Sequence, residues 1–217
     1  MKAINQYLNL AVFLSVLGLC NGYSQQLIDQ KFVVLLDPGH GGSDSGACSL
    51  TGTMEKDIVL QVVNQMLNIQ RDYPSSSLEL LTTRQEDTLL KLGVRSQMAI
   101  DQNVDFFMSI HCNYAASKNA QGIEVFTYWS PSKVGKISIL YAFGLVQGMS
   151  RHLDWPSRGV KFANFKVLRD LDKTVPSVLV ELGFLSHPEE GILLAKPETI
   201  RDIAQGLYYM LNQYSKL

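Results

Sequence analysis

Four residues carry side chains that could act together on a polar bond: His40, Glu55, His111 and Glu181. His40 stands in "LLDPGHGGSDSGA", residues 35–47, where a short apolar run gives way to Asp37, Pro38 and a cluster of glycines. His111 closes "DFFMSIH", and Glu181 directly follows "SVLV". Glu55 opens a segment of helical periodicity, where a carboxylate gains from the helix dipole. Two imidazoles and two carboxylates brought together at one edge of a sheet could hold a divalent metal.

Each residue also has an ordinary explanation. A His at a strand end is commonly a satisfied structural residue, and Glu55 reads equally well as N-terminal helix charge. Glu181 resists this treatment, because desolvating a carboxylate after an apolar run costs several kcal/mol unless it is paired or metal-associated. The spacings of 15 and 56 residues match no local zinc motif, so residue types alone leave the metal open. Asp37, Asp44 and Glu124 are further candidates; the first two are expected to organise the glycine turn, and Glu124 to make a structural contact on its strand. A phosphate loop is set aside, since the glycine turn lacks both the G-K-[ST] ending and the G-x-G-x-x-G order.

The elements that must position these residues alternate. Strands are expected at "KFVVLLD" (31–37), "LELLTT" (78–83), "DFFMSIH" (105–111), "GIEVFTYW" (122–129), "NFKVLR" and "PSVLVELGF". Helices are expected at 55–70, with Ile58, Val62, Met66 and Ile69 on one face, at "LLKLGVRSQMAIDQN", from about Lys133 to Leu153, and from Pro197 to the C-terminus. This is an α/β domain: a single domain with a mostly parallel or mixed central sheet flanked by helices. His40, His111 and Glu181 then all fall at carboxyl ends of strands, where open α/β sheets gather their ligands.

The chain has 217 residues, 46% hydrophobic, with formal net charge -1. That composition is globular, and the near-neutral charge gives no reason to expect nucleic acid as a partner. Lys2, the apolar "LNLAVFLSVLGLC" and the small polar "NGYSQQ" read as a signal peptide over residues 1–24, too short for a spanning helix of roughly 20 apolar residues. A buried N-terminal helix is the alternative. Lipid attachment at Cys20 is disfavoured by the bulky Leu19 before it. Cys48 and Cys112 permit one disulfide, with two unpaired thiols as the alternative.

"DPGHGGSDSGA", "EKDIVLQVV", "LLTTRQED", "SIHCN", "GIEVF", "RGVKFANFKVLRD" and "PSVLVELGFLSHPEE", in this order, resemble the zinc-dependent N-acetylmuramoyl-L-alanine amidases, from about Val33 to the C-terminus. The resemblance implies a catalytic domain over 25–217 that cuts peptidoglycan between muramic acid and the first stem residue, in wall remodelling or daughter-cell separation. It implies one zinc ion per chain on His40, Glu55 and His111, with Glu181 as catalytic carboxylate. Three protein ligands leave a position open, as in catalytic zinc sites. Asn113 and Arg84 are expected either to hold substrate or to brace the site. Cys112 and His187 depart from the family's usual small residue and Asn; Cys112 would compete for metal, pair with Cys48, or simply pack. The segment from "GIEVF" to "RGVKFANF" leaves no room for an inhibitory helix, so an open site is expected, without a named activator. An exported monomer, in the periplasm or at the cell surface, follows. Two rival readings keep the fold: a peptidoglycan-binding module without turnover, and a zinc peptidase acting within the stem.

Overall fold

The computed structural model describes residues 31–74 and 76–216; the expected signal peptide and Cys20 lie outside them. Six strands form one sheet: β1 (Phe32–Pro38), β2 (Leu78–Thr82), β3 (Phe106–Asn113), β4 (Ile123–Thr127), β5 (Ser157–Phe162) and β6 (Ser177–Phe184), in the order β2-β1-β3-β6-β4-β5. The sheet is mixed. Only the β4–β6 pairing is antiparallel; the other four pairings run parallel.

The central strands are near-continuous apolar runs because both faces of the sheet are covered. Alternation along each strand divides them. Val34, Leu36, Phe106, Met108, Ile110, Val178 and Val180 point to one side, against α1 (Glu55–Asp72), α3 (Lys133–Leu153) and α6 (Pro197–Tyr214). Leu35, Phe107 and Leu179 point to the other, against α2 (Leu92–Asp101) and the short α4 (Lys166–Arg169). On α1 the residues Ile58, Val59, Val62, Val63 and Met66 are all 0% exposed, and burying each such side chain contributes about 1.5–3 kcal/mol. Ser132 starts α3 by accepting a hydrogen bond from the Gly135 amide at 2.9 Å, and Asp154, in the left-handed region at φ 54°, ends it. Between β4 and β5 the chain holds α3 and its turns, with no further helix.

One expectation needs correction, and two elements were not expected. "NFKVLR" is not a strand: Lys166–Arg169 is a helical turn, and the strand of this region is Ser157–Phe162. The adjacent Val167 and Leu168 are both buried, which a strand cannot do on one face, whereas β5 is a half-exposed edge strand of polar pattern that offers no apolar run to read. A further short helix, α5 (Pro188–Leu194), follows β6. His187, the family departure, caps it: its Nδ1 accepts from the Glu190 amide at 3.1 Å.

Candidate metal centre

Past Pro38 the chain turns sharply, and His40 itself takes the left-handed region, φ 58°. Gly46 lets the returning strand of this turn close over the site, since a Cβ there would lie 2.5 Å from Glu55 Oε2 and 2.6 Å from His40 Cδ2. Glu55 is the first residue of α1 and only 3% exposed. Its Oε2 accepts from the Ala47 amide at 2.8 Å and its Oε1 from the Cys112 amide at 3.0 Å, so the carboxylate is fixed from both sides. Two imidazoles meet the same oxygen: His40 Nε2 at 3.1 Å and His111 Nδ1 at 2.8 Å from Glu55 Oε1. Their rings stand edge to face with centroids 4.9 Å apart. One potential ligand atom from each of His40, Glu55 and His111 lies within 4.8 Å of the other two.

Asp44 completes the arrangement around His40. Its Oδ2 lies 2.9 Å from His40 Nδ1, which assigns the proton to that nitrogen and leaves Nε2 to face Glu55. Burial alone would lower the His40 pKa, but the Glu55 and Asp44 carboxylates outweigh it and raise it to about 9. Burial would likewise raise Glu55, yet hydrogen bonds from the two imidazoles hold it well below the usual carboxylate range.

Glu181 pairs in register with His111 across β3 and β6, and by alternation shares the face of Leu179. Its Oε2 is shielded from solvent and has no hydrogen-bond partner among the described residues. Burial, reinforced by the charges of Glu55 and Glu124 against the opposing pull of His111, raises its pKa to about 7. His40, His111 and Glu181 line one cleft of about 480 Å³, together with Leu89, Leu92 and Phe165; Glu55 lies behind the two imidazoles and does not line it. A larger groove of about 780 Å³ lies between Tyr73, after α1, and Tyr208 and Tyr209 of α6, but none of the site residues lines it.

The remaining candidates separate. Asp44 does serve the glycine turn, also accepting from the Gly46 amide at 3.1 Å. Asp37 serves it from beneath, paired at 2.7 Å with Arg95, whose guanidinium also holds the Pro38 and His40 carbonyls. Glu124 faces Glu181 across β4 and β6 but is engaged by Arg158 and by Lys161, the latter at 2.7 Å. Arg84 does not reach the cleft: it is 5% exposed and its guanidinium donates to the carbonyls of Pro38, Gly39, Lys56 and Glu86, so its part is to brace the turn. Asn113, half-buried at the end of β3, turns its Oδ1 to the Tyr114 amide at 2.8 Å. Cys48 and Cys112 are both free thiols, and Cys112 packs into the core on the sheet face away from Glu181. Arg95 is the residue that sequence reasoning missed. Its signal was present, because it stands four residues before the buried Ala99 on the core-facing stripe of α2.

Two imidazole nitrogens and one carboxylate oxygen are a donor set suited to zinc, and three converging protein donors rather than four distinguish a catalytic from a structural site. The family described as N-acetylmuramoyl-L-alanine amidase matches residues 34–213. The sporulation-specific N-acetylmuramoyl-L-alanine amidase of Bacillus subtilis is 33% identical over 174 residues, covering 80% of this chain and 64% of the relative. The chain thus spans somewhat under two thirds of that relative's length, and 53% of the Escherichia coli amidase AmiC, to which it is 29% identical over 86% of its own length. Among solved structures, the catalytic domain of CwlV from Bacillus (Paenibacillus) polymyxa superposes with a TM-score of 0.75 at 31% identity, covering 84% of this chain and 97% of that one. AmiC2 of Nostoc punctiforme gives 0.77 at 30% identity, covering 86% and 98%. The chain belongs to the N-acetylmuramoyl-L-alanine amidase family.

Proposed function

We propose that this chain hydrolyses the amide between the lactyl group of N-acetylmuramic acid and the L-alanine that opens the peptidoglycan stem, with one zinc ion held by His40, Glu55 and His111. The observation that carries the reading is the unpaired, solvent-shielded Oε2 of Glu181 in the cleft that His40 and His111 line, with Glu55 converging on both imidazoles from behind. A buried carboxylate oxygen with no partner is costly, and it fits a group whose partner is a reacting water. The donor set fits zinc as well, with His40 presenting Nε2 because Asp44 occupies Nδ1. When bound, zinc supplies Lewis acidity toward a water and toward the amide carbonyl.

The chain's own residues do the rest. Glu181 takes the proton of the attacking water and passes it to the nitrogen of the departing amine, a transfer typically worth about 10² to 10⁴ in rate. Its raised pKa of about 7 matches both halves of that task, since it must accept and then release a proton near neutral pH. Leu89, Leu92 and Phe165 limit bulk water on the open side of the cleft. The substrate places the enzyme outside the cytoplasmic membrane, in periplasm or at the cell surface, in wall remodelling or cell separation. Among the described residues no helix is long and apolar enough to cross a membrane.

The test is digestion of purified sacculi with and without a chelator, with mass spectrometry of the products. Intact stems beginning in L-alanine, released only without chelator, are expected. Shorter peptides would replace the reading with a stem peptidase, and binding without release would replace it with a non-catalytic module. His40→Ala and His111→Ala should lose stoichiometric zinc, whereas Glu181→Gln should keep zinc and lose turnover.

A further inference from the structure

Beneath the glycine turn lie two arginines whose hydrogen bonds go to none of the three ligating side chains. Arg95, 2% exposed, spreads its guanidinium over four acceptors: Nη1 donates to Asp37 Oδ1 at 2.7 Å and to the Pro38 carbonyl at 2.9 Å, Nη2 to the His40 carbonyl at 2.7 Å, and Nε to the Leu90 carbonyl at 3.2 Å. Arg84 lies beside it, with Nε on the Pro38 carbonyl at 3.0 Å and Nη2 on the Gly39 carbonyl at 2.8 Å. The carbonyls of three successive residues are thus held by two fixed forks. Asp37, 1% exposed, anchors the assembly to the sheet by also accepting from Thr83 Oγ1 at 2.7 Å and Ser109 Oγ at 2.8 Å. The residue at the end of this hold is His40, whose positive φ is a strained state for a side chain with a Cβ and persists only where its surroundings over-determine it.

We infer that Arg95, anchored by Asp37 and seconded by Arg84, is the positioning residue of the zinc site: it fixes the left-handed turn at His40 and so sets the affinity for the ion. The inference rests on the zinc reading given above. Without the hold on its carbonyl, His40 relaxes toward an ordinary backbone conformation and its Nε2 leaves the 3.1 Å approach to Glu55. The requirement is for a fork and not only for a charge. A lysine at position 95 would keep the pair with Asp37 but cannot span the Pro38 and His40 carbonyls as well.

The test compares Arg95→Lys with Thr127→Val, which removes a buried hydrogen bond to the Ser177 carbonyl, 3.2 Å long, that belongs to neither the turn nor its anchor. Zinc affinity is measured by competition with a chromophoric chelator, and folding by thermal melting of the chelated proteins. Arg95→Lys is expected to weaken zinc binding about 10- to 100-fold, the usual cost of losing a group that orients a ligand. Thr127→Val is expected to lower the melting temperature and leave zinc affinity within about twofold of the parent. Parental affinity in Arg95→Lys, or an equal loss in Thr127→Val, overturns the inference. If Arg95→Lys does not fold, Arg84→Lys carries the same expectation; if neither folds, the arginines support the domain as a whole and the inference falls. A parent protein that binds no zinc would instead overturn the reading of the site itself.

Discussion

Gly39 offers the sharpest perturbation of the site. Its Cα lies against the His111 ring so closely that an added Cβ would sit 2.2 Å from Cε1, 2.5 Å from Nε2 and 2.6 Å from Nδ1. Ordinary contact begins near 3.4 Å, so in Gly39→Ala the ring must retreat by a little over 1 Å. The backbone itself has no objection, because Gly39 is not among the positive-φ glycines. Overpacking of this size costs about 1–3 kcal/mol of stability. The functional cost is larger, since misplacing a catalytic group by about 1 Å can reduce a rate about 10²-fold, or roughly 2.7 kcal/mol of activation free energy. Gly52→Ala is the matched control: nothing lies within 4 Å of its Cβ, but φ is 87°, so it should cost about 1–2 kcal/mol of stability and leave the site alone. Zinc titration, melting curves and release of soluble muropeptides from sacculi would be measured on both. Comparable loss of stability with turnover reduced only in Gly39→Ala is expected. Parental turnover and zinc affinity in Gly39→Ala would refute the claim that the ring's seat against this backbone sets the geometry.

Three further outcomes follow from the electrostatics and the core. Glu181 favours its protonated form in the fold, so its contribution is intact below about pH 4.5 and is lost as pH rises toward about 7. Glu181→Gln should therefore raise the melting temperature of the metal-free protein at pH 8, by at most about 3 kcal/mol of stability, and change little at pH 4. His40 is protonated in the metal-free site up to about pH 9, so zinc binding at pH 7 should release about one proton, seen by calorimetry in buffers of different ionisation enthalpy, with apparent affinity rising as pH approaches 9. Cys112→Ala should cost about 1 kcal/mol of stability and leave zinc stoichiometry unchanged, because the thiol packs on the far face of the sheet.

What was legible in the sequence was what depends on local pattern. The apolar runs of β1, β3 and β6, the helical stripes of α1 and α6, and the whole of α3 from Lys133 to Leu153 could be read directly. The edge was not legible. β5 exposes much of its length and contains Gly159 at φ 79°, so neither alternation nor an apolar run marked it. Among the site residues, His40, Glu55, His111 and Glu181 were visible as polar residues at strand and helix ends. The buried arginines were harder, since their partners are mostly backbone carbonyls 28 to 57 positions away, and carbonyls leave no trace in residue types. Arg84 could be named but not assigned between substrate and scaffold, because only burial makes that distinction.

Glu55 contacts His111 and Glu181 is that residue's register partner, and the chain separates the two carboxylates by what it places around each. Glu55 opens a helix and receives two backbone amides and two imidazoles, so its negative charge is satisfied wherever it could point. Glu181 receives nothing at Oε2, and the nearest side chain on the same face of its own strand is the apolar Leu179. The same residue type is thereby pushed in opposite directions: the Glu55 carboxyl is held well below the usual carboxylate range, as the proposed ligand role requires, and that of Glu181 is raised to about 7, as the proposed proton transfer requires. The cause is strand alternation. His111 and Glu181 occupy neighbouring positions on one face of adjacent strands, while Cys112 and Leu182 turn to the other face and into the core, so the sheet that supplies the apolar floor also supplies the register between ligand and base. A one-residue slip of β6 against β3 would bury Glu181 among the helices of the opposite layer and turn an apolar side chain toward the donors, leaving the fold's layers recognisable and its chemistry gone.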